Sequence, residues 1–149
     1  MLPEETKTRI RGTIARLTCY PQDLAYGFYD RLFERAPETR ALFKDDIGSQ
    51  ADKLMDTLMV VVQSLDKLAG LVTFVEALGR QHARHGVTDD MYPVVGDVLI
   101  DTVAENVEDW SEADRAAWYE LYNYLSDLMI TGARDVQTPV PEATETPGT

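Results

Sequence analysis

The chain is short of several things that would announce a function. It holds one cysteine, Cys19, in 149 residues, which excludes an intramolecular disulfide and a dithiol redox pair. It has two histidines, His82 and His85, and no HExxH, so a zinc-hydrolase ligand set lacks its carriers. Neither GxxxxGK[ST] nor GxGxxG occurs, which removes the phosphate-cradling loop and the dinucleotide fingerprint. No run approaches the ~18 apolar residues of a membrane span. The opening MLPEETKTRI has no apolar stretch of signal-peptide type, and a cytoplasmic location is expected on these grounds. Basic residues are scarce as well: Lys and Arg number 14 against 26 Asp and Glu, a net charge of −12. A field of that sign repels phosphate backbones and anionic lipid, so neither nucleic acid nor a membrane is expected as a partner.

What is present is helix-forming. Hydrophobic residues make up 44 % and charged residues 27 % of the chain, ordinary values for one globular core at this length. Apolar residues recur at threes and fours with no sustained alternation, so the expected fold class is all-α. A first helix is expected over about Glu4–Leu17, with Ile10, Ile14 and Leu17 on one face. A second, over about Gln22–Arg35, sets Leu24, Phe28 and Leu32 in one row and Ala25, Tyr29 and Phe33 in the next. Pro37 opens a short helical segment that ends at Leu42–Phe43, and Lys44–Gly48 is a polar connection. Ser49 with Asp52 forms a capping-box-like start for a helix with Gln50 at its head and Leu54, Leu58, Val61 and Leu65 along its inner face. Gly70 divides it from a helix with Leu71, Phe74, Val75, Leu78 and His82 on one face, closed by Gly86. The next spans about Asp89–Val107, burying Tyr92, Val95, Leu99 and Val103. The last begins at Ser111, boxed with Asp114, and turns Trp118, Leu121, Tyr122, Leu125, Leu128 and Met129 inward. Residues 1–134 read as one domain. The remainder, 135–149, is rich in Pro, Thr and Glu and is expected to be a disordered tail.

Three polar residues fall on inward faces. His82 stands where a leucine would continue the pattern, and an imidazole there is more often a packed core residue than a metal ligand. Tyr29 and Gln50 each read equally well as buried polar groups satisfied by backbone or water. Together, an imidazole on one wall and two hydrogen-bond donors on another are what a gas ligand on iron requires. The carboxylates read as solvated helix faces, with no pair directed inward for acid–base work.

The stretches FYDRLFERAPETRALF at 28–43, SQADKLM at 49–55 and LGRQHARHGVTDDMYPVVGDVLI at 78–100 resemble the globin family, specifically its bacterial single-domain branch related to the haem domain of flavohaemoglobins. The resemblance covers about Glu4–Ala133. Its proximal histidine is followed by Gly and an apolar residue, then by Tyr-Pro and Val-Gly; Gly86-Val87, Tyr92-Pro93 and Val95-Gly96 match when His82 is that histidine. The resemblance implies a globin fold around haem b, with His82 as the iron ligand and Tyr29 and Gln50 facing the gas. It places Leu54 over the iron, Phe43 against the porphyrin, Leu78, Val87, Tyr92 and Val95 around the group, and Lys53 within reach of a propionate. His85, one turn beyond His82, is the alternative ligand. One position departs from the branch, which pairs the proximal histidine with a tyrosine and a glutamate. Tyr92 keeps the first, but the glutamate's place falls near Ala133, with Asp135 the nearest acid, so peroxidase-like activation is not implied.

The function implied is reversible oxygen binding, with nitric oxide and carbon monoxide as further gaseous ligands, and scavenging of nitric oxide by reaction with bound oxygen. A flavohaemoglobin's reductase half is absent from this sequence, so an external reductase is expected to supply electrons for repeated turnover. The alternative is a haem-based gas sensor acting through a partner protein. A haem-free interaction module on the same fold is a third reading, against which the Tyr29, Gln50 and His82 set stands.

Overall fold

A computed structural model describes residues 2–43 and 46–137. Among them six α-helices form: α1 (Glu4–Ala15), α2 (Pro21–Arg35), α3 (Ile47–Gln63), α4 (Val72–Arg84), α5 (Met91–Glu105) and α6 (Glu112–Gln137). Two 3-10 segments, Pro37–Leu42 and Leu65–Leu71, join α2 to α3 and α3 to α4. The described residues contain no strand, only an isolated antiparallel bridge between Leu17 and Val107. The all-α expectation holds.

The helices begin and end for local reasons. Ser111 and Asp114 form a reciprocal box at the head of α6: the Ser111 N–H donates to Asp114 Oδ2 at 3.1 Å and the Asp114 N–H to Ser111 Oγ at 3.2 Å. Burial raises the Asp114 carboxyl, but the Ser111 N–H and the guanidinium groups of Arg16 and Arg9 outweigh it and hold the group below its ordinary range. The start of α3 differs from the expected Ser49–Asp52 pair. The helix begins at Ile47, and the N-cap is Asp46, whose carboxylate accepts the Ser49 N–H at 3.2 Å. A carboxylate suits the positive end of the helix dipole better than a hydroxyl does, while Asp52 is taken up by the Gln22 amide of α2. The α3–α4 boundary also moves: α3 stops at Gln63 and the whole stretch Leu65–Leu71 is 3-10, bent at Lys67 (φ −136°, ψ 38°). The axis of Ile47–Gln63 and that of Leu65–Arg84 differ by 113° across Ser64. At the C-terminus α6 runs through Gln137, three residues past the expected domain boundary, and residues 138–149 lie outside the described ones. So do Lys44 and Asp45 of the polar connection.

Packing places the core around α2, α5 and α6. Ile10, Leu32, Leu65, Ile100, Trp118 and Leu121 are all fully buried, each contributing roughly 1.5–3 kcal/mol of transfer free energy as an upper figure. Trp118 Nε1–H donates to Thr13 Oγ1 at 2.9 Å, and that hydroxyl donates to the Ile10 carbonyl at 2.7 Å, so the indole crosses from α6 to α1 without an unpaired N–H. α2 lies against α3 and α5, whereas α4 packs chiefly on α6. α3 and α4 therefore splay apart with different partners behind them.

Candidate functional site

His82 sits in the last turn of α4, and its surroundings fix it twice. Nδ1 is 2.8 Å from the Leu78 carbonyl oxygen. A carbonyl only accepts, so Nδ1 carries the proton and the lone pair stands on Nε2, which has no hydrogen-bond partner among the described residues. Burial first, and the neighbouring His85 charge, push the imidazole below its ordinary value, against a raising effect of the Leu78 carbonyl. The ring is therefore neutral at neutral pH. The second restraint is the helix end. Gly86 takes φ 101°, and its N–H bonds the Ala83 carbonyl at 3.1 Å while the Val87 N–H bonds the His82 carbonyl at 3.0 Å. This paired closure needs the left-handed residue that glycine supplies without strain. Val87 thus ties down the main chain of His82. His85 caps α4 and is exposed.

The opposite wall comes from α2, the Pro37–Leu42 segment and α3. Tyr29 is 5 % exposed, and burial pushes its hydroxyl up to about 12, so it remains a neutral O–H donor. That hydroxyl donates to the Gln50 main-chain carbonyl at 3.5 Å, the long limit of a hydrogen bond. Its ring is packed edge-on to Phe28 at 4.9 Å and to Phe43 at 5.3 Å, with Phe33 at 5.9 Å. Gln50 is half-buried at the head of α3, Leu54 is half-buried one turn on, and Lys53 is exposed between them. At this head Gly48 lies beneath two side-chain ends: a Cβ there would come within 2.8 Å of Asp46 Oδ2 and 2.9 Å of the Tyr26 hydroxyl, which would have to shift.

Behind His82, α4 and α6 touch through their backbones. A Cβ on Gly79 would lie 2.0 Å from the Met129 carbonyl oxygen, and one on Gly132 2.0 Å from that of Glu76. Neither glycine was picked out by apolar spacing. The signal was available, since an uncapped glycine inside a helix costs about 1 kcal/mol against alanine and is kept for close approach. Ala133, beside this crossing, is buried, and Asp135 turns outward to pair with Arg80 at 3.2 Å. Tyr92 is buried, raised to about 12 by burial and by Asp89, and its hydroxyl has no partner among the described residues.

The family model for Globin matches residues 27–129. The chain belongs to the globin family. A globin-like protein of Aquifex aeolicus is 29 % identical over 131 residues, 88 % of this chain and 94 % of that one. A flavohaemoprotein of Halalkalibacterium halodurans is 25 % identical across 99 % of this globin, which spans only 36 % of that protein's length. Among solved structures, an engineered carbene transferase built on a Rhodothermus marinus protein assigned as a nitric oxide dioxygenase superposes with a TM-score of 0.81. It is 31 % identical, over 92 % of this chain and 96 % of the other. A bacterial globin of Campylobacter jejuni, TM-score 0.78 over 92 % and 100 %, is 23 % identical and supports the fold alone.

Family membership implies a haem, and the donor set of this globin fits one. His82 presents an unprotonated Nε2 on a ring held by a carbonyl. The apolar residues Phe43, Leu54, Leu78, Val95 and Leu99, from the end of the first 3-10 segment, α3, α4 and α5, stay half-buried rather than buried, so a flat apolar group between the splayed α3 and α4 would cover them. Of the residues expected at the site, Tyr29 meets the Phe43 ring and the Gln50 main-chain carbonyl on one wall, and Leu78, His82 and Val87 are joined on the other. Lys53 is on the solvent side of α3. Among the described residues no single helix is long and apolar enough to cross a membrane.

Proposed function

We propose that this globin holds haem b through His82, binds oxygen reversibly and removes nitric oxide by its reaction with that oxygen. The observation that carries the proposal is the pairing of His82 Nδ1–H with the Leu78 carbonyl, which leaves Nε2 as a fixed, unprotonated donor. When bound, the haem supplies the iron centre that takes up small gases. His82 orients that centre through a neutral imidazole, because its second nitrogen meets a carbonyl and not a carboxylate. Tyr29 offers a neutral O–H on the opposite wall, and Gln50 an amide beside it. Such donors favour a ligand on which negative charge develops over one that stays neutral, hence oxygen over carbon monoxide. Phe43 and Leu54 exclude water from that wall.

Conversion of nitric oxide and oxygen to nitrate consumes one electron for each nitric oxide removed. The electron is proposed to come from a reductase partner. The cytoplasm is the proposed location.

Absorption spectroscopy tests the reading. The haem-supplied protein should show a Soret band that His82→Ala alters or abolishes; a band unchanged in that variant removes His82 from its role. Addition of nitric oxide to the oxygenated ferrous protein should give ferric haem and nitrate at once. Tyr29→Phe should release oxygen about 2- to 10-fold faster, the equivalent of one lost hydrogen bond of ~0.5–1.5 kcal/mol. An unchanged rate removes Tyr29 from the gas-facing role.

A further inference from the structure

We infer that Arg40 is a positioning residue for Tyr29, acting through Phe33 and Phe43; the inference rests on the reading of Tyr29 as the gas-facing donor. Tyr29 is poorly fixed by its own hydrogen bond, which at 3.5 Å exerts little directional hold. The ring contacts fix it instead, and they form a triangle: Tyr29 to Phe43 at 5.3 Å, Tyr29 to Phe33 at 5.9 Å, Phe33 to Phe43 at 5.6 Å. One charged group clamps this triangle from outside. The Arg40 guanidinium carbon lies 5.3 Å from the centre of the Phe33 ring, where the ring face attracts a cation. Its Nη1–H donates to the Phe43 carbonyl at 2.9 Å, and the Phe43 N–H donates back to the Arg40 carbonyl at 3.2 Å.

Arg40 thus holds both main-chain polar groups of Phe43 while lying over the ring that Phe43 touches. The clamp matters where it is placed. Phe43 caps the 3-10 segment in an extended conformation (φ −107°, ψ 99°); its N–H makes the segment's last hydrogen bond, but its φ and ψ are not helical, so the helical repeat does not set where its ring points. Substitution of Arg40 leaves the main-chain bond between residues 40 and 43 in place and removes only the guanidinium contacts. Loss of those contacts frees Phe43 to swing and lets Tyr29 turn, which weakens its donation to the gas ligand.

The test combines NMR with ligand release in the folded protein. Arg40→Ala should weaken the cross-peaks between the Tyr29 and Phe43 rings, in the diamagnetic carbon monoxide form and in the haem-free chain. It should shift the infrared stretch of bound carbon monoxide and speed oxygen release by about 2- to 5-fold, as expected from loss of an exposed cation–π contact. Arg40→Lys, which keeps the cation over Phe33 but is too short to fork to the Phe43 carbonyl, should recover part of each change. In a Tyr29→Phe background Arg40→Ala should add nothing to the release rate, a result that a general loosening of the fold would not give. Unchanged cross-peaks with unchanged release overturn the inference, as does an equal acceleration with and without the Tyr29 hydroxyl. Weakened cross-peaks alongside a Tyr29→Phe variant that releases oxygen normally would leave the clamp standing and remove Tyr29's gas-facing role instead.

Discussion

The wall that carries His82 and the wall that carries Tyr29 are built by opposite means. α4 is held by main chain: backbone against backbone at Gly79 and Gly132, a closed helix end at Gly86 and Val87, a carbonyl on the imidazole. Apart from the imidazole itself, none of these contacts has a side chain to yield. The Tyr29 wall is held by rings and one guanidinium, each of which can be exchanged singly. Under the proposed function, the difference separates what a metal ligand needs fixed, its position, from what would set ligand preference, the donor opposite. Main-chain contacts supply rigidity, because closely packed backbones relax little. Side-chain contacts of ~0.5–1.5 kcal/mol each supply a range over which a rate can be tuned.

The strongest way to break the contrast is at the helix crossing. Gly132→Ala should lower stability by about 1–3 kcal/mol through overpacking, despite the ~1 kcal/mol that alanine contributes over glycine in a helix. Urea denaturation reads this directly, and an unchanged or raised midpoint would mean that α4 and α6 are not in backbone contact. Phe43→Ala should cost a comparable amount, about 2 kcal/mol, because the ring is half-buried, against ~3–5 kcal/mol for a fully buried one. It should speed haem loss while leaving helix content intact; a collapse of far-UV ellipticity would show that the Tyr29 wall is as integral to the fold as the crossing. The smallest effect sharpens the comparison. Tyr92→Phe should raise the melting temperature by the equivalent of up to ~1 kcal/mol, since it deletes a buried hydroxyl without a partner. A lower melting temperature would show that this hydroxyl finds an acceptor in solution and that the His82 side also uses side-chain bonds.

Most of the helices were legible because their apolar residues recur at threes and fours; the inward placement of Tyr29 and His82 followed from that spacing, whereas that of Phe43 came from the family resemblance. The α3–α4 break was not, and the reason is visible in the residues. Leu65 falls four after Val61, so the apolar row continues across Ser64, where the helix stops. Lys67, the residue that actually bends, carries no turn signature. The head of α3 was misplaced because Ser49 and Asp52 have the right spacing for a box, while the cap depends on how Asp46 folds back over Gly48. The glycine crossing involves positions more than fifty residues apart, and a single sequence gives no means of pairing them. Arg40 reads as one more solvated arginine until the rings beneath it are seen. The departure at Ala133 could be read from the sequence; that the buried Tyr92 hydroxyl has no acceptor among the described residues needed the packed helices.

The fastening of α1 to α6 bears on how the chain is made. Arg9 and Arg16 pair with Asp114 at 3.2 Å each, Thr6 donates to Glu120 at 2.7 Å, and Trp118 reaches Thr13. Each of these contacts spans about a hundred residues of chain. During synthesis the amino-terminal helix emerges first, yet the face it is destined to cover belongs to the final helix. Closure of that long loop comes late, and until then the aromatic and aliphatic residues of the intervening helices lack part of their lid. The excess of acidic residues that gives the chain its net charge of −12 then serves an unfinished molecule as much as a finished one, keeping neighbouring chains apart by mutual repulsion.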